Sequence, residues 1–271
     1  MSRRALTVRR SPTMSPVDSA TPAGRVAAIY DIHGNLPALE AVLREIQRER
    51  VEQIVVGGDV VPGPMPREVM ALLVDLEIPV RFIRGDGERA VLARLGGVET
   101  DSVPEQFREI IRWSGEELTH EQARLQADWP ETLPLAVAGL GDVLFCHGTP
   151  RRDNEIFTRL TPDASLRPVF EHVRAHVVVC GHTHMQFDRW VGDARVVNAG
   201  SIGMPFGEPG AYWLLLGPDI ELRHTEYDLA AAAARVRATE YPHADEFAAQ
   251  NVLEPPPESE MLELFERAAL Q

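Results

Sequence analysis

The chain has 271 residues, 44% hydrophobic and 25% charged, the composition of an ordinary soluble protein, which excludes disorder throughout, a collagen-like repeat or a disulfide scaffold. The formal net charge of -14, from 41 acidic against 27 basic residues, argues against a broad surface that holds nucleic acid by neutralising phosphates, and leaves room for a small local anion site. All the basic residues are Arg, so mechanisms that need a Schiff-base lysine or a phosphate-loop lysine are excluded.

No apolar run approaches the roughly 20 residues a membrane-spanning helix needs. Two cysteines, Cys146 and Cys180, are too few for a secreted disulfide framework and point to a reducing, cytoplasmic setting. Residues 1–24 mix Arg, Ser, Thr and Pro without an apolar segment, and are expected to be a disordered leader rather than a secretory signal. From Val26 the pattern becomes regular. An apolar run, Val26 to Tyr30, is followed by a polar loop and then by Leu39, Val42, Leu43 and Ile46 at helical spacing. Asn35 is placed to cap that helix, and Pro37 sits in its first turn, where the missing N–H costs nothing. The unit repeats with a strand at Ile54 to Val56, a helix at Val69 to Leu76 and a strand at Val80 to Ile83, which predicts a parallel sheet.

Residues 97–131 break the rhythm and read as a helical insertion carrying Phe107, Ile110, Ile111 and Trp113. Strands return at Leu135 to Ala138, Val143 to Phe145 and Val177 to Val179. Beyond residue 186 short strands alternate with turns, at Phe187 to Val191, Val196 to Asn198, Tyr212 to Leu216 and Ile220 to His224. These are expected to form an antiparallel part in a second sheet. The tail, residues 227–271, holds two helical segments separated by Pro255, Pro256 and Pro257. The last presents Met261, Leu264, Phe265 and Ala268 on one face, for packing on the domain or, second, for contact with another copy in a homodimer.

Five polar clusters lie where apolar strands end: Asp31-Ile32-His33-Gly34-Asn35, Gly58-Asp59 with Gly63, Gly85-Asp86-Gly87-Glu88, Cys146-His147-Gly148, and Gly181-His182-Thr183-His184. Ligands bind at the carboxyl ends of strands in α/β sheets, so the five converge on one rim. Asp31 and His33, two apart in what reads as extended chain, point to one side while Ile32 points into the core; His182 and His184 do the same around Thr183. Three carboxylates and four imidazoles on one edge repel and resist desolvation unless cations neutralise them. Cys146 and Cys180, beside these residues, read as small buried apolar groups. His120, His172, His176, His224 and His243 fall in no motif and read as structural or exposed.

In this order, the motifs resemble those of the calcineurin-like metallophosphoesterase superfamily over roughly residues 25–225, within a domain of residues 25–226. The resemblance implies an α/β fold, a four-layer α/β/β/α sandwich of two mixed sheets with a dinuclear metal site at the strand ends. It implies one metal held by Asp31, His33, Asp59 and His184, a second by Asp59, Asp86, His147 and His182, and Asp59 between them. Oxygen and nitrogen ligands without thiolate suit Mn²⁺, Fe or Zn²⁺. The implied activity is hydrolysis of a small phosphate ester by a bridging metal-bound hydroxide, with no protein nucleophile. Asn35, Arg151 and Arg152 are candidates for gripping the substrate, and Asn198-Ala199-Gly200-Ser201 matches a segment that supports the ligands in the family.

Two departures stand out. Asp86 replaces the family's usual Asn, and Gly87 stands where many phosphomonoesterases carry a His that protonates the leaving group. The second departure resembles the small bacterial and archaeal phosphodiesterase branch and favours phosphodiesters with good leaving groups. A phosphomonoesterase or dinucleoside polyphosphate hydrolase is the enzymatic alternative. A non-catalytic protein-binding scaffold, as in the retromer subunit of this fold, is expected to have lost ligands, whereas all seven positions here can bind metal.

Overall fold

A computed structural model describes residues 21–98 and 104–269. Most of the expected leader, residues 1–20, lies outside the described residues. Residues 21–24 do not fit that expectation: the Ala23 N–H donates to Ala136 O at 3.0 Å, Ala138 N–H donates to Ala23 O at 2.8 Å, and Gly24 N–H donates to Glu52 Oε2 at 2.8 Å. Residues just ahead of the first apolar run are therefore paired into the fold.

The first half follows the β-α rhythm: β1 (Val26–Ile29), α1 (Leu36–Ile46), β2 (Gln53–Val56), α2 (Pro66–Val74), β3 (Val80–Phe82) and α3 (Asp86–Leu95). Asn35 caps α1, its Oδ1 accepting from Ala38 N–H at 3.2 Å, and Pro37 lies in the first turn. Within the expected insertion, α4 (Glu105–Glu117) and α5 (His120–Ala127) lie against α3, and residues 99–103 fall outside the described residues. Then come β4 (Thr132–Val137), β5 (Gly141–Cys146), α6 (Asp163–Phe170), β6 (Val177–Cys180), β7 (Phe187–Val191), β8 (Ala194–Asn198), β9 (Ala211–Leu216) and β10 (Ile220–Thr225). The chain ends in α7 (Leu229–Arg237), α8 (Ala244–Phe247), a wider π-helical stretch (Ala248–Leu253) and α9 (Glu258–Ala268).

The strands form two five-stranded sheets, ordered β10-β9-β1-β2-β3 and β4-β5-β6-β8-β7. The side-chain alternation of β1 shows how they stack. Val26, Ala28 and Tyr30 face a core shared with Val143, Phe145, Val177 and Val179 of the other sheet, while Ala27 and Ile29 face α1, α2 and α7. On the far face of the second sheet Val178, Cys180 and Val196 pack on Leu166, Val169 and Phe170 of α6. The result is the expected four-layer α/β/β/α sandwich.

Two expectations need correction. The strands after residue 186 do not share one sheet: β7 and β8 complete the second sheet, with β8 parallel to β6, whereas β9 pairs antiparallel with β1 and extends the first. Turn residues at Gly192-Asp193 and Gly217-Pro218 mark each hairpin locally. The sheet each hairpin joins is decided by the crossover between them, where Ile202 N–H donates to Tyr30 O at 3.0 Å. In α9 the docked side is Met261, Leu262, Phe265 and Glu266, followed by Ala269 just past its end, while Leu264 is 54% exposed and Ala268 is exposed. The contact is partly polar, so a face chosen by apolarity alone comes out rotated.

Candidate metal centre

The rim at the ends of β1, β2, β3, β5 and β6 gathers all seven predicted ligand residues into three overlapping clusters: Asp31, His33 and His184; Asp86, His147 and His182; and Asp31, Asp59 and His147. The local chain is not extended, as the spacing suggested. Asp31 (φ 53°), His33 (45°), Asp59 (52°), His182 (66°) and His184 (59°) all adopt the left-handed conformation. Asp and His are more tolerant there than branched residues, yet each such residue costs of order 1 kcal/mol or more and persists only if its surroundings fix it. They do. Asp31 N–H donates to Gly58 O at 3.1 Å, His33 N–H to Asp59 O at 2.9 Å, and His182 N–H to Asp31 Oδ2 at 3.0 Å. Ile32 still points into the core, fully buried.

The side chains crowd together. His147 Nε2 lies 3.2 Å from Asp86 Oδ1, 3.4 Å from Asp59 Oδ1 and 3.8 Å from Asp31 Oδ1. His184 Nε2 lies 3.4 Å from Asp31 Oδ1, His33 Nε2 3.7 Å from Asp59 Oδ2, and His182 Nδ1 3.0 Å from Asp86 Oδ1. Asp59 thus turns one oxygen to each side of the centre. Three imidazoles have their other nitrogen against a backbone carbonyl: His33 Nδ1 to Pro62 O (3.1 Å), His147 Nδ1 to Gly57 O (2.9 Å) and His184 Nδ1 to Met204 O (2.8 Å). A carbonyl only accepts, so each Nδ1 carries the proton and each Nε2 presents a lone pair to the centre, the arrangement that orients metal-binding histidines.

Burial penalises charge on Asp31, yet His184 and His147 outweigh it and hold the carboxyl below its usual range; Asp86 is held well below by His182 and His147, again against burial. His147 and His184 are raised against burial, by Asp59 and Asp31 for the first and by Asp31 for the second. His33 is lowered, because its burial outweighs Asp59.

These residues fit divalent cations. Asp31 Oδ1, Asp86 Oδ1 and His147 Nε2 are buried atoms that face one another and that make no well-aligned hydrogen bond, and all three belong to predicted ligand residues. Buried polar atoms without partners are costly, and three together call for a shared charged partner. The surrounding glycines leave no slack. A Cβ on Gly85 would lie 2.2 Å from Asp59 Oδ1, and one on Gly181 2.4 Å from Asp31 Oδ2.

Glu88 is a site residue that the sequence reading passed over. It is fully buried, and its carboxylate accepts from the backbone N–H groups of Asp59 (2.9 Å), Val60 (2.7 Å), Val61 (3.1 Å) and Gly85 (2.8 Å). One side chain therefore ties the Asp59 loop to the start of α3, where Asp86 sits. Burial and the Asp59 charge push it up to about 7. The available signal was a Glu at the third position of a helix that starts after Gly85, a helix-start pattern. Asn198-Ala199-Gly200-Ser201 supports the ligand loops as expected: Asn198 Nδ2 donates to Gly181 O at 2.7 Å and Ser201 Oγ to Asp31 O at 2.8 Å.

The expected substrate grips are placed differently. Asn35 is fully buried, its amide spent on the α1 cap and on Gly203 O at 3.1 Å, so it is corrected to a scaffold residue. Arg151 is bound to Glu155, Nε to Oε1 at 2.7 Å, and Arg152 is exposed beside it. Cys146 and Cys180 are free, buried thiols.

The family match is to the calcineurin-like phosphoesterase superfamily domain and spans residues 25–217. The chain belongs to that superfamily. An uncharacterized protein of Methanocaldococcus jannaschii is 26% identical over 231 residues, covering 78% of this chain and 91% of that one. A hypothetical protein of Pyrococcus horikoshii superimposes with a TM-score of 0.72 at 22% identity, covering 86% of this chain and 99% of that one. A metallophosphoesterase of Sphaerobacter thermophilus gives 0.67 at 25% identity, covering 85% and 100%. The phosphoesterase domain contains no helix long and apolar enough to cross a membrane among its described residues.

Proposed function

We propose that this phosphoesterase hydrolyses phosphodiesters with two divalent cations, one among Asp31, His33, Asp59 and His184 and the other among Asp59, Asp86, His147 and His182. The three unpartnered atoms that meet at the rim, Asp31 Oδ1, Asp86 Oδ1 and His147 Nε2, carry this reading, and the two-sided placement of Asp59 supports a carboxylate shared between the cations. The nitrogen and oxygen donor set suits Mn²⁺, Fe or Zn²⁺. Bound cations would acidify water and neutralise phosphoryl oxygens.

The chain's own part is positional. The Pro62, Gly57 and Met204 carbonyls fix the tautomers of three ligands, Glu88 holds the Asp59 and Asp86 segments in register, and Ser201 and Asn198 brace the Asp31 and His182 loops.

The diester preference rests on position 87. A Cβ there would lie 2.3 Å from Val61 O and 2.9 Å from Asp59 Oδ1, so a leaving-group acid cannot be accommodated as the backbone stands. A reaction without that proton donor favours leaving groups that depart as stable anions. Two buried free thiols support a reducing, cytoplasmic setting. The test is turnover by the full chain, with Mn²⁺, of bis(p-nitrophenyl) phosphate against p-nitrophenyl phosphate. Faster diester turnover is expected; faster monoester turnover moves the assignment to the phosphomonoesterase alternative.

A further inference from the structure

The loop Met204–Gly207 holds His184 on two sides. Met204 O accepts from its Nδ1 at 2.8 Å, and the Phe206 ring stacks on the imidazole, centroids 5.6 Å apart and planes 20° from parallel. Its inner end is fixed by Gly203 N–H donating to Asp31 O at 2.9 Å and Met204 N–H donating to Ser201 Oγ at 2.8 Å. Its outer end meets the C-terminal segment. Gly207 N–H donates to Pro256 O at 2.9 Å, and the Phe206 ring lies 6.0 Å from that of Phe265 in α9. Gly207 has φ +83°, and a Cβ there would lie 3.5 Å from Glu258 Cβ.

The helix is anchored on its other side as well. Glu266 Oε1 accepts from the buried hydroxyls of Thr158 (2.5 Å) and Thr161 (2.9 Å), and Glu258 pairs with Arg159. Arg189 Nη1 braces the same turn, donating to the carbonyls of Thr158 (3.1 Å) and Thr161 (2.9 Å). α9 thus spans from the segment that follows His147 to the loop that carries the support of His184. It lies beyond residue 217, where the superfamily match ends.

We propose that α9 is a positioning element of the metal centre, with Phe265 and Pro256 fixing the Met204–Gly207 loop and, through Phe206, the ring of His184. The proposal rests on the reading that His184 holds a cation. A terminal helix that only covered apolar surface would not meet a loop that both hydrogen-bonds and stacks on a ligand. Direct support of a ligand, as Met204 O and Phe206 give His184, is typically worth about 10- to 100-fold in metal affinity, and α9 acts one contact further out, so the lower end of that range is expected.

The test uses the full chain with Phe265→Ala, Phe265→Leu and, as a control, Leu264→Ala on the exposed side of the same helix. Calorimetric titration of metal-free protein with Mn²⁺ reads two sites. Long-range proton–nitrogen spectra of the metal-free protein read exchange of the Nδ1 protons of His184 and His147. Phe265→Ala should weaken one site about tenfold, leave the other within about twofold, and speed exchange at His184 but not at His147. Phe265→Leu should recover part of the loss, and Leu264→Ala should match the parent. Parent-like titration of Phe265→Ala overturns the proposal, as does equal weakening of both sites with a fall in Tm, which marks general destabilisation. A parent chain that binds no Mn²⁺ defeats the underlying reading instead.

Discussion

His33 Nε2 and His184 Nε2 face each other at 3.3 Å, although both rings carry their proton on the far nitrogen, against Pro62 O and Met204 O. Two lone pairs at that distance repel, and either a proton or a cation relieves them. This competition makes metal binding pH-dependent, because protons leave as metal enters.

In EDTA, the raised His147 and His184 contribute stability that is fully present below their ordinary value of 6.5 and is lost as pH rises through their higher folded values. The lowered Asp31 and Asp86 contribute stability present above 3.8 and lost as pH falls through their lower folded values. His33, displaced downward, offsets part of the first effect. Glu88, raised from 4.5 to about 7, adds a loss between those values, so the chelated protein should be most stable at about pH 4 to 4.5, and its Tm should fall as pH rises beyond. With Mn²⁺ at 100 times its Kd, about 2.7 kcal/mol of added stability should remove that fall. Melting curves from pH 4 to 9, with EDTA and with Mn²⁺, decide it; parallel curves contradict the account.

Glu88→Gln replaces a carboxylate that accepts four backbone N–H groups with an amide whose nitrogen only donates. Stranded buried donors cost about 1–3 kcal/mol each, so urea unfolding should show a loss of roughly 3 kcal/mol, accompanied by weaker Mn²⁺ binding because the Asp59 loop is released. A variant as stable as its parent would show that the carboxylate is dispensable.

Gly181→Ala would place a Cβ 2.4 Å from Asp31 Oδ2 and 2.5 Å from Tyr30 Cδ1. Neither neighbour can retreat freely, since both are fully buried. The expected outcome is a stability loss of about 1–3 kcal/mol with Mn²⁺ affinity reduced well beyond what that loss explains, read by calorimetry on folded protein. Unchanged affinity would mean that the Asp31 loop yields without moving its carboxylate.

The candidate ligand residues were legible because residue types and strand-end positions are local facts: an apolar run followed by Asp or His shows in the sequence wherever it folds. How the backbone delivers them was not. Asp31 and His33 read as extended from their spacing, whereas both are left-handed, held by hydrogen bonds that their N–H groups donate to the Gly58 and Asp59 carbonyls, far along the chain. Non-local pairing also hid the sheet joined by β9 and the docked side of α9, where Glu266 contributes as an acceptor. Glu88 was passed over because a charged residue in a helix's first turn is commonplace on a surface, and only its burial reveals its part.

Asp86 is the departure with the clearest consequence. Its Oδ1 faces His182 and His147, while the neighbouring arginines pair elsewhere, Arg84 with Glu131 at 3.1 Å and Arg89 with Asp153 at 2.6 Å. Asp86→Asn should weaken one Mn²⁺ site and lower activity at limiting metal. At saturating Mn²⁺ it should move the acid limb of the pH–rate profile down by about one unit, well under the ~4 kcal/mol ceiling for a unit charge about 4 Å away at an effective dielectric near 20. If neither affinity nor acid limb changes, Asp86 leaves the ligand set.

The most direct measurement is Mn²⁺ stoichiometry together with ester hydrolysis on the same purified chain, before and after chelation, in the parent and in His147→Ala. The parent chain should bind two Mn²⁺, lose hydrolysis on chelation and regain it with Mn²⁺, and the His147→Ala variant should fold, bind fewer ions and lose most activity. A parent chain that takes up no Mn²⁺, or that hydrolyses its ester equally well in chelator, would contradict the two-cation reading.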